Sequence, residues 1–108
     1  MGPTGVVVQP FTGSAVINVT SVFTDTGFLA VWSSEPNFGQ DTIMAAKVDA
    51  NGALTCPPFA VSSIISSKSR LDLTLSTTGR ALAVWSDGRV DGGDIYAQDI
   101  NPDCSLGQ

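Results

Sequence analysis

Acidic side chains crowd a glycine-rich stretch of the chain, SDGRVDGGD at residues 86–94. Asp87, Asp91 and Asp94 occur within it, and carboxylate oxygens are ligands that calcium prefers. The spacing departs from the D-x-[DN]-x-[DN]-G pattern of a calcium loop. These three residues are therefore weak calcium candidates, and a solvated acidic loop is the favoured interpretation. We predict no bound metal and no cofactor.

Two tryptophans occupy the same place in similar stretches, because Trp32 and Trp85 each end the string LAVW. An aromatic face can stack on a sugar, but a recurring large ring also fills the space between packed sheets. Packing is the favoured role. The candidate ligand contacts are Trp32, Trp85, Tyr96 and Arg89, although an ion pair with Asp87 explains Arg89 more simply.

Two further aspartates, Asp41 and Asp94, are 53 residues apart and each opens the stretch that follows a loop. A carboxylate in that place can accept backbone N–H bonds and hold the loop in shape. We therefore predict a structural role for both residues.

The composition excludes several classes of function. The chain has no histidine, which removes Ser-His-Asp and Cys-His catalysis and the commonest zinc ligand. Paired carboxylates without another convergent group are a weak catalytic signal, so we assign no catalytic residue and predict a non-enzymatic protein. The net charge of −5, with five scattered basic residues, excludes a nucleic-acid partner.

The two cysteines, Cys56 and Cys104, are too few for a disulfide framework. They fall at different phases of the internal similarity described below, and they meet only if the turn after Asn101 lies beside the segment 54–59. Two separate reduced thiols are favoured over a disulfide.

Nothing in the sequence indicates a membrane protein. No apolar run approaches the length of a bilayer span, and the first residues, MGPTGVVVQPF, lack the basic head and apolar stretch of a signal peptide. We expect a soluble chain, either cytoplasmic or cut from a longer exported protein, so the compartment stays open.

Strand signals dominate the chain, and 43% apolar residues suit one globular domain over 1–108. Alternating and β-branched stretches separated by turn residues predict an all-β fold. The serine-rich segment 62–69 could hold a short turn, and its serine content argues against a helix. The predicted strands are 5–11, 17–24, 28–34, 42–49, 54–61, 70–76, 80–86 and 94–100.

The chain contains an internal similarity with a period near fifty residues. Trp32 and Trp85 are 53 apart, and after a one-residue shift Ile43 and Ala45 match Ile95 and Ala97. A unit of that size with four short strands is typical of a propeller blade, although a sandwich that arose by duplication would show the same repetition.

The segment GRALAVWSDGRVDGGDIYAQDI resembles the repeat of bacterial, usually exported, β-propeller proteins with VWxDxRxGxxDIYAQ-type blades. The resemblance implies blades of four antiparallel strands and an exported origin, but it implies no particular chemistry. The first copy departs from the pattern, with Ser34 and Pro36 where the second copy has Asp87 and Arg89.

The predicted strands divide into one complete blade and one incomplete blade. Blade one covers about 17–61, whereas blade two, about 70–108, has three strands and ends where its fourth should begin. The missing strand matches residues 5–11, and a neighbouring chain is predicted to supply it.

These predictions lead to a scaffold or binding module that assembles with itself. Closed rings then have an even number of blades, with a trimer favoured and a dimer or tetramer as alternatives. A lectin-like propeller that binds a glycan is the alternative function, and a glycosidase-type enzyme is the least favoured.

Overall fold

The computed structural model of the protein describes residues 15–24, 27–37, 40–66, 68–88 and 94–107. Within them it is all-β, and no helix occurs in these ranges. The strands are β1 (Ala15–Thr24), β2 (Gly27–Asn37), β3 (Gln40–Val48), β4 (Leu54–Ser66), β5 (Lys68–Leu75), β6 (Ala81–Asp87) and β7 (Asp94–Ile100).

The seven strands form two antiparallel sheets. The first sheet has the order β1-β2-β3-β4 and the second the order β5-β6-β7. All seven agree with predicted strands to within a few residues at each end, except that β4 runs five residues further. The described residues of the segment 62–69 are all strand, because β4 continues to Ser66 and β5 begins at Lys68. The predicted strand 5–11 lies outside the described residues.

Three connections share one turn geometry. In each, the first residue donates to the carbonyl four residues on, and the fourth residue donates back to the first, as in Asp49–Ala53, Ser76–Arg80 and Asn101–Ser105. This is the arrangement of a turn followed by a left-handed residue. The left-handed position holds Gly52 (φ 88°), Gly79 (φ 84°) and Cys104 (φ 72°). Glycine adopts that φ without strain, which explains two of the three residues.

The hydrophobic core lies between the two sheets. Alternate side chains of a strand point to opposite faces, so every second residue of β2, β3 and β6 enters the core. Its buried members are Leu29, Val31, Ile43, Ala45, Val61, Leu73, Ala81, Ala83, Trp85 and Ile100.

A disulfide joins the two sheets at one end of this core. Cys56 in β4 is bonded to Cys104 in the turn after β7, with Cα atoms 6.6 Å apart. Lys47 Nζ donates to the Pro102 carbonyl in the same turn at 3.0 Å. The prediction of two separate thiols is therefore wrong: the turn after Asn101 lies beside the start of β4, the one placement that lets the cysteines meet.

Reducing this disulfide should lower the free energy of unfolding by about 2–4 kcal/mol, because the cross-link restricts the unfolded chain over a long loop. Urea unfolding with and without a thiol reductant measures the difference. The double variant Cys56→Ala/Cys104→Ala should match the reduced protein and should not respond to reductant. Coincident curves for the oxidised and reduced wild type would contradict the prediction.

Candidate functional site

Three buried charged side chains meet where the first sheet passes into the second. Lys68, Asp41 and Asp87 are 4%, 2% and 1% exposed. Lys68 begins β5, Asp41 lies at the start of β3 and Asp87 ends β6, so both sheets contribute. We call these three residues, with Ser66 and Trp85, the junction cluster.

The Lys68 ammonium is held by groups from both sheets. Its Nζ donates to the Asp41 backbone carbonyl at 2.8 Å and to Ser66 Oγ at 2.8 Å. It also lies 3.7 Å from Asp87 Oδ2, and both side chains of this ion pair are fully buried. An ammonium in the interior needs such partners, because removing it from water uncompensated is costly.

The Asp87 carboxylate is satisfied at both oxygens. Oδ1 accepts from Ser66 Oγ at 2.5 Å, and Oδ2 accepts from Trp85 Nε1 at 3.0 Å. A calcium ion could reach these oxygens only by displacing Ser66, Trp85 and Lys68. The arrangement therefore acts as a polar contact between the sheets and is closed to a substrate.

Asp41 completes the cluster from β3. Its Oδ2 accepts from the Lys68 backbone N–H at 2.9 Å, while its Oδ1 is buried without a hydrogen-bond partner among the described residues. Burial raises the pKa of Asp41, and the neighbouring Glu35 carboxyl raises it further, against the opposing effects of the Lys68 N–H and ammonium. Protonation of Asp41 removes the repulsion between these two carboxyls.

Asp41→Asn should change how stability depends on pH. Since the folded-state pKa of Asp41 is raised above 3.8, the native state holds this proton more tightly than the unfolded state. The stability that this tighter proton binding adds is fully present below pH 3.8 and is lost as the pH rises through the folded-state pKa of Asp41. The wild-type stability minus that of Asp41→Asn should therefore fall with rising pH in this window, measured by urea unfolding at a series of pH values.

Asp103→Asn is the matched control of opposite sign. Hydrogen bonds from the Ser105 hydroxyl and backbone N–H lower the pKa of Asp103, so its contribution is lost as pH falls. Equal slopes for the two variants would contradict the assignment of Asp41.

The two predicted aspartates, Asp41 and Asp94, do not occupy equivalent places. Asp94 is exposed and pairs with Asp87 across β6–β7, as Thr42 pairs with Ser34 across β2–β3. The strands β3 and β7 therefore correspond at a spacing of 52, and the spacing of 53 between the aspartates is coincidental. The position equivalent to Asp41 is residue 93, outside the described residues.

The two tryptophans are both buried, with Trp32 2% and Trp85 3% exposed. Trp85 donates to Asp87, but the indole N–H of Trp32 has no hydrogen-bond partner among the described residues. The difference follows from the sequence, because Ser34 stands where the other copy has Asp87. Ser33 beside it also has a buried hydroxyl without a partner in the described part of the chain.

Trp85 and Tyr96 are brought together by the β6–β7 ladder, in which they are paired. They line a cleft of about 280 Å³ whose other walls are Val61, Ser62, Ser63, Ala97 and Gln98. Trp85 is too buried to offer a ring face here, so the half-buried Tyr96 is the aromatic group with accessible surface. A role of Trp32, Trp85 or Tyr96 in ligand binding stays a prediction.

The remaining predicted site residues, Arg89 and Asp91, lie outside the described residues. Within the described ranges no group of three or more acidic, cysteine or histidine side chains has a metal-binding arrangement. Sequence reasoning missed Lys68 and Ser66, whose only signal is one lysine in a run of serines.

Calcium and EDTA should both leave the melting temperature unchanged, because tight binding to the native state would raise it with calcium concentration. Thermal unfolding followed by circular dichroism is sufficient. A calcium-dependent rise that Asp94→Asn abolishes would instead assign the acidic loop as a calcium site.

No family model matches the chain, and neither a curated protein nor a solved structure matches it. In the described ranges, no helix has the length and hydropathy needed to span a bilayer.

Proposed function

We propose that the chain is a non-enzymatic scaffold and binding module that contributes two β-propeller blades to a ring of identical copies. Blade one is about 17–61, and blade two is about 70–108 with the strand 5–11 of a neighbouring copy. The support comes from the geometry of the two sheets and from the surfaces that they leave exposed.

The two ladders have corresponding registers. Trp32 pairs with Met44 as Trp85 pairs with Tyr96, and the irregularity in β1 after Ile17 has its counterpart in β5. Corresponding pairs elsewhere are Phe23↔Phe28 with Leu75↔Ala81, and Phe28↔Val48 with Ala81↔Ile100. Two sheets built alike to this extent favour one duplicated blade unit over two unrelated sheets.

The second sheet also starts a fourth strand in the same way as the first. The bridge Ile100↔Leu106 corresponds to the pair Val48↔Leu54. Beyond Leu106, β7 has no further paired strand among the described residues, although β3 pairs with β4 along most of its length. Residues 5–11 match the early part of β4 in sequence, and we assign them to this edge in the assembly.

One observation carries the proposal: large apolar side chains are exposed on both sheets. Val19, Phe23 and Ile95 are 63%, 62% and 72% exposed. Exposed side chains of this size and apolarity on a sheet favour an interaction surface, and units of this kind bury such faces against further units. A ring of copies covers them all.

Small-angle X-ray scattering on the purified protein tests the ring. The expected result is a flat disc whose dimensions do not change with concentration, fitted by six blades and hence three copies. A fit to four or eight blades would keep the ring and change the number of copies to two or four. A particle with the size of one folded chain would refute the ring.

Carbohydrate binding is the alternative function, favoured by the cleft that Tyr96 lines together with Ser62, Ser63 and Gln98. An aromatic ring beside hydroxyl and amide groups is a common sugar-binding combination. A glycan array separates the scaffold function from carbohydrate binding. Glycan binding that Tyr96→Ala abolishes would assign a lectin, whereas the absence of any bound glycan would favour the scaffold.

A further inference from the structure

The interface between the two sheets of one chain uses two different faces. The first sheet contributes Leu29, Val31, Ile43 and Ala45. The second contributes Ala81, Ala83 and Trp85. The interface is therefore head to tail, with one kind of face packed on another.

Each sheet also carries residues equivalent to those that the other sheet places in the interface. The ladder registers equate Leu29 and Val31 with Leu82 and Val84, and Ile43 and Ala45 with Ile95 and Ala97. Because neighbouring residues of a strand point to opposite faces, these counterparts lie on the side of the second sheet away from the core. We call them the β6–β7 outer face: Leu82, Val84, Ile95 and Ala97.

The first sheet carries the residues equivalent to those that the second sheet places in the interface. Phe28, Ala30 and Trp32 correspond to Ala81, Ala83 and Trp85, and Phe23 lies opposite Phe28 on the same side of the ladder. Trp32 is 2% exposed and already covered within one copy, so we call Phe23, Phe28 and Ala30 the β1–β2 outer face. Phe23 and Phe28 are 62% and 37% exposed, and their rings meet edge to face with centroids 5.0 Å apart.

Resting on the proposed assembly, we infer that the β6–β7 outer face of one copy docks on the β1–β2 outer face of the next, reproducing the junction within the chain. The partner is thus a second copy of this chain, and the contact is heterologous, which gives a ring when the rotation from copy to copy closes and a filament when it does not. A two-fold contact in which one face meets the same face of another copy would not reproduce the junction within the chain.

The contact between copies differs chemically from the junction within the chain. Val16 and Ser34 stand where the internal junction has Lys68 and Asp87, and Val16 is 41% exposed. The ion pair is therefore absent from the contact between copies, and the phenylalanines replace the smaller Leu75 and Ala81. Apolar burial drives this contact, so moderate salt should not dissociate the assembly.

Two single variants and their mixture test the docking mode. Ile95→Lys removes one face and keeps the other, whereas Phe28→Lys does the reverse. Each variant alone should have the mass of one chain in light scattering. Mixed in equal amounts, they should form a 1:1 dimer, because the intact β6–β7 outer face of Phe28→Lys meets the intact β1–β2 outer face of Ile95→Lys.

Controls keep this result interpretable. If Phe28→Lys loses the near-ultraviolet circular dichroism of a folded protein, Phe23→Lys, at a more exposed site, is used in its place. Thr77→Lys, in an exposed turn outside both faces, should assemble as the wild type does. A mixture that stays at the mass of one chain while wild type assembles would overturn the docking mode and leave the ring standing. A wild type with the mass of one folded chain would overturn both.

Discussion

Lys68→Met should lower the free energy of unfolding by about 3–5 kcal/mol, the usual effect of removing one partner from a buried ion pair. Asp87 would keep the Ser66 hydroxyl and the Trp85 indole but lose the ammonium at 3.7 Å. An uncompensated carboxylate would then lie in the interior between the sheets. Urea unfolding followed by tryptophan fluorescence measures the change.

Two further variants isolate the buried charge. Lys68→Met/Asp87→Asn should recover much of the loss, because asparagine keeps an acceptor for Trp85 and carries no charge. Arg80→Met removes the exposed ion pair with Asp99, whose side chains are 47% and 31% accessible, and should cost no more than about 1 kcal/mol. Equal losses for Lys68→Met and Arg80→Met would show that the junction cluster contributes no more than a surface pair.

Trp85→Ala should also cost about 3–5 kcal/mol, as for buried aromatic residues elsewhere. The ring is 3% exposed and belongs to the core between the sheets, and its N–H is one of the donors to Asp87. Truncation therefore leaves both a cavity and a less satisfied carboxylate.

Trp85→Phe separates these two effects, since it keeps most of the ring volume and loses the donor. We expect its cost to lie between zero and that of Trp85→Ala. Near-wild-type stability of Trp85→Ala in urea would place the ring outside the core and favour a role in stacking on a ligand.

The strands could be predicted because their signals are local. Period-two alternation and turn residues such as Asn51-Gly52 depend on neighbours in sequence, and seven predicted strands match β1–β7 for this reason. The end of β4 was missed because isoleucines among serines carry neither alternation nor a breaker, and pairing with β3 through Ile43↔Ser62 and Asp41↔Ser66 decides the conformation there.

The junction cluster and the disulfide could not be predicted because they depend on how the sheets pack. Lys68 is one of five basic residues, and only the passage from β4 to β5 carries it beneath Asp87. The cysteines are 48 residues apart and meet because the turn at Asn101–Ser105 lies over the start of β4. Local patterns contain no information on either placement.

The molar mass of the full chain by light scattering, measured in oxidising buffer over a range of concentrations, tests the assembly most directly. We expect a constant value of three times the 11.2 kDa of one chain, and two or four times that mass also agrees with a closed ring of blade pairs. A well-folded protein with a constant mass of 11.2 kDa would contradict the account.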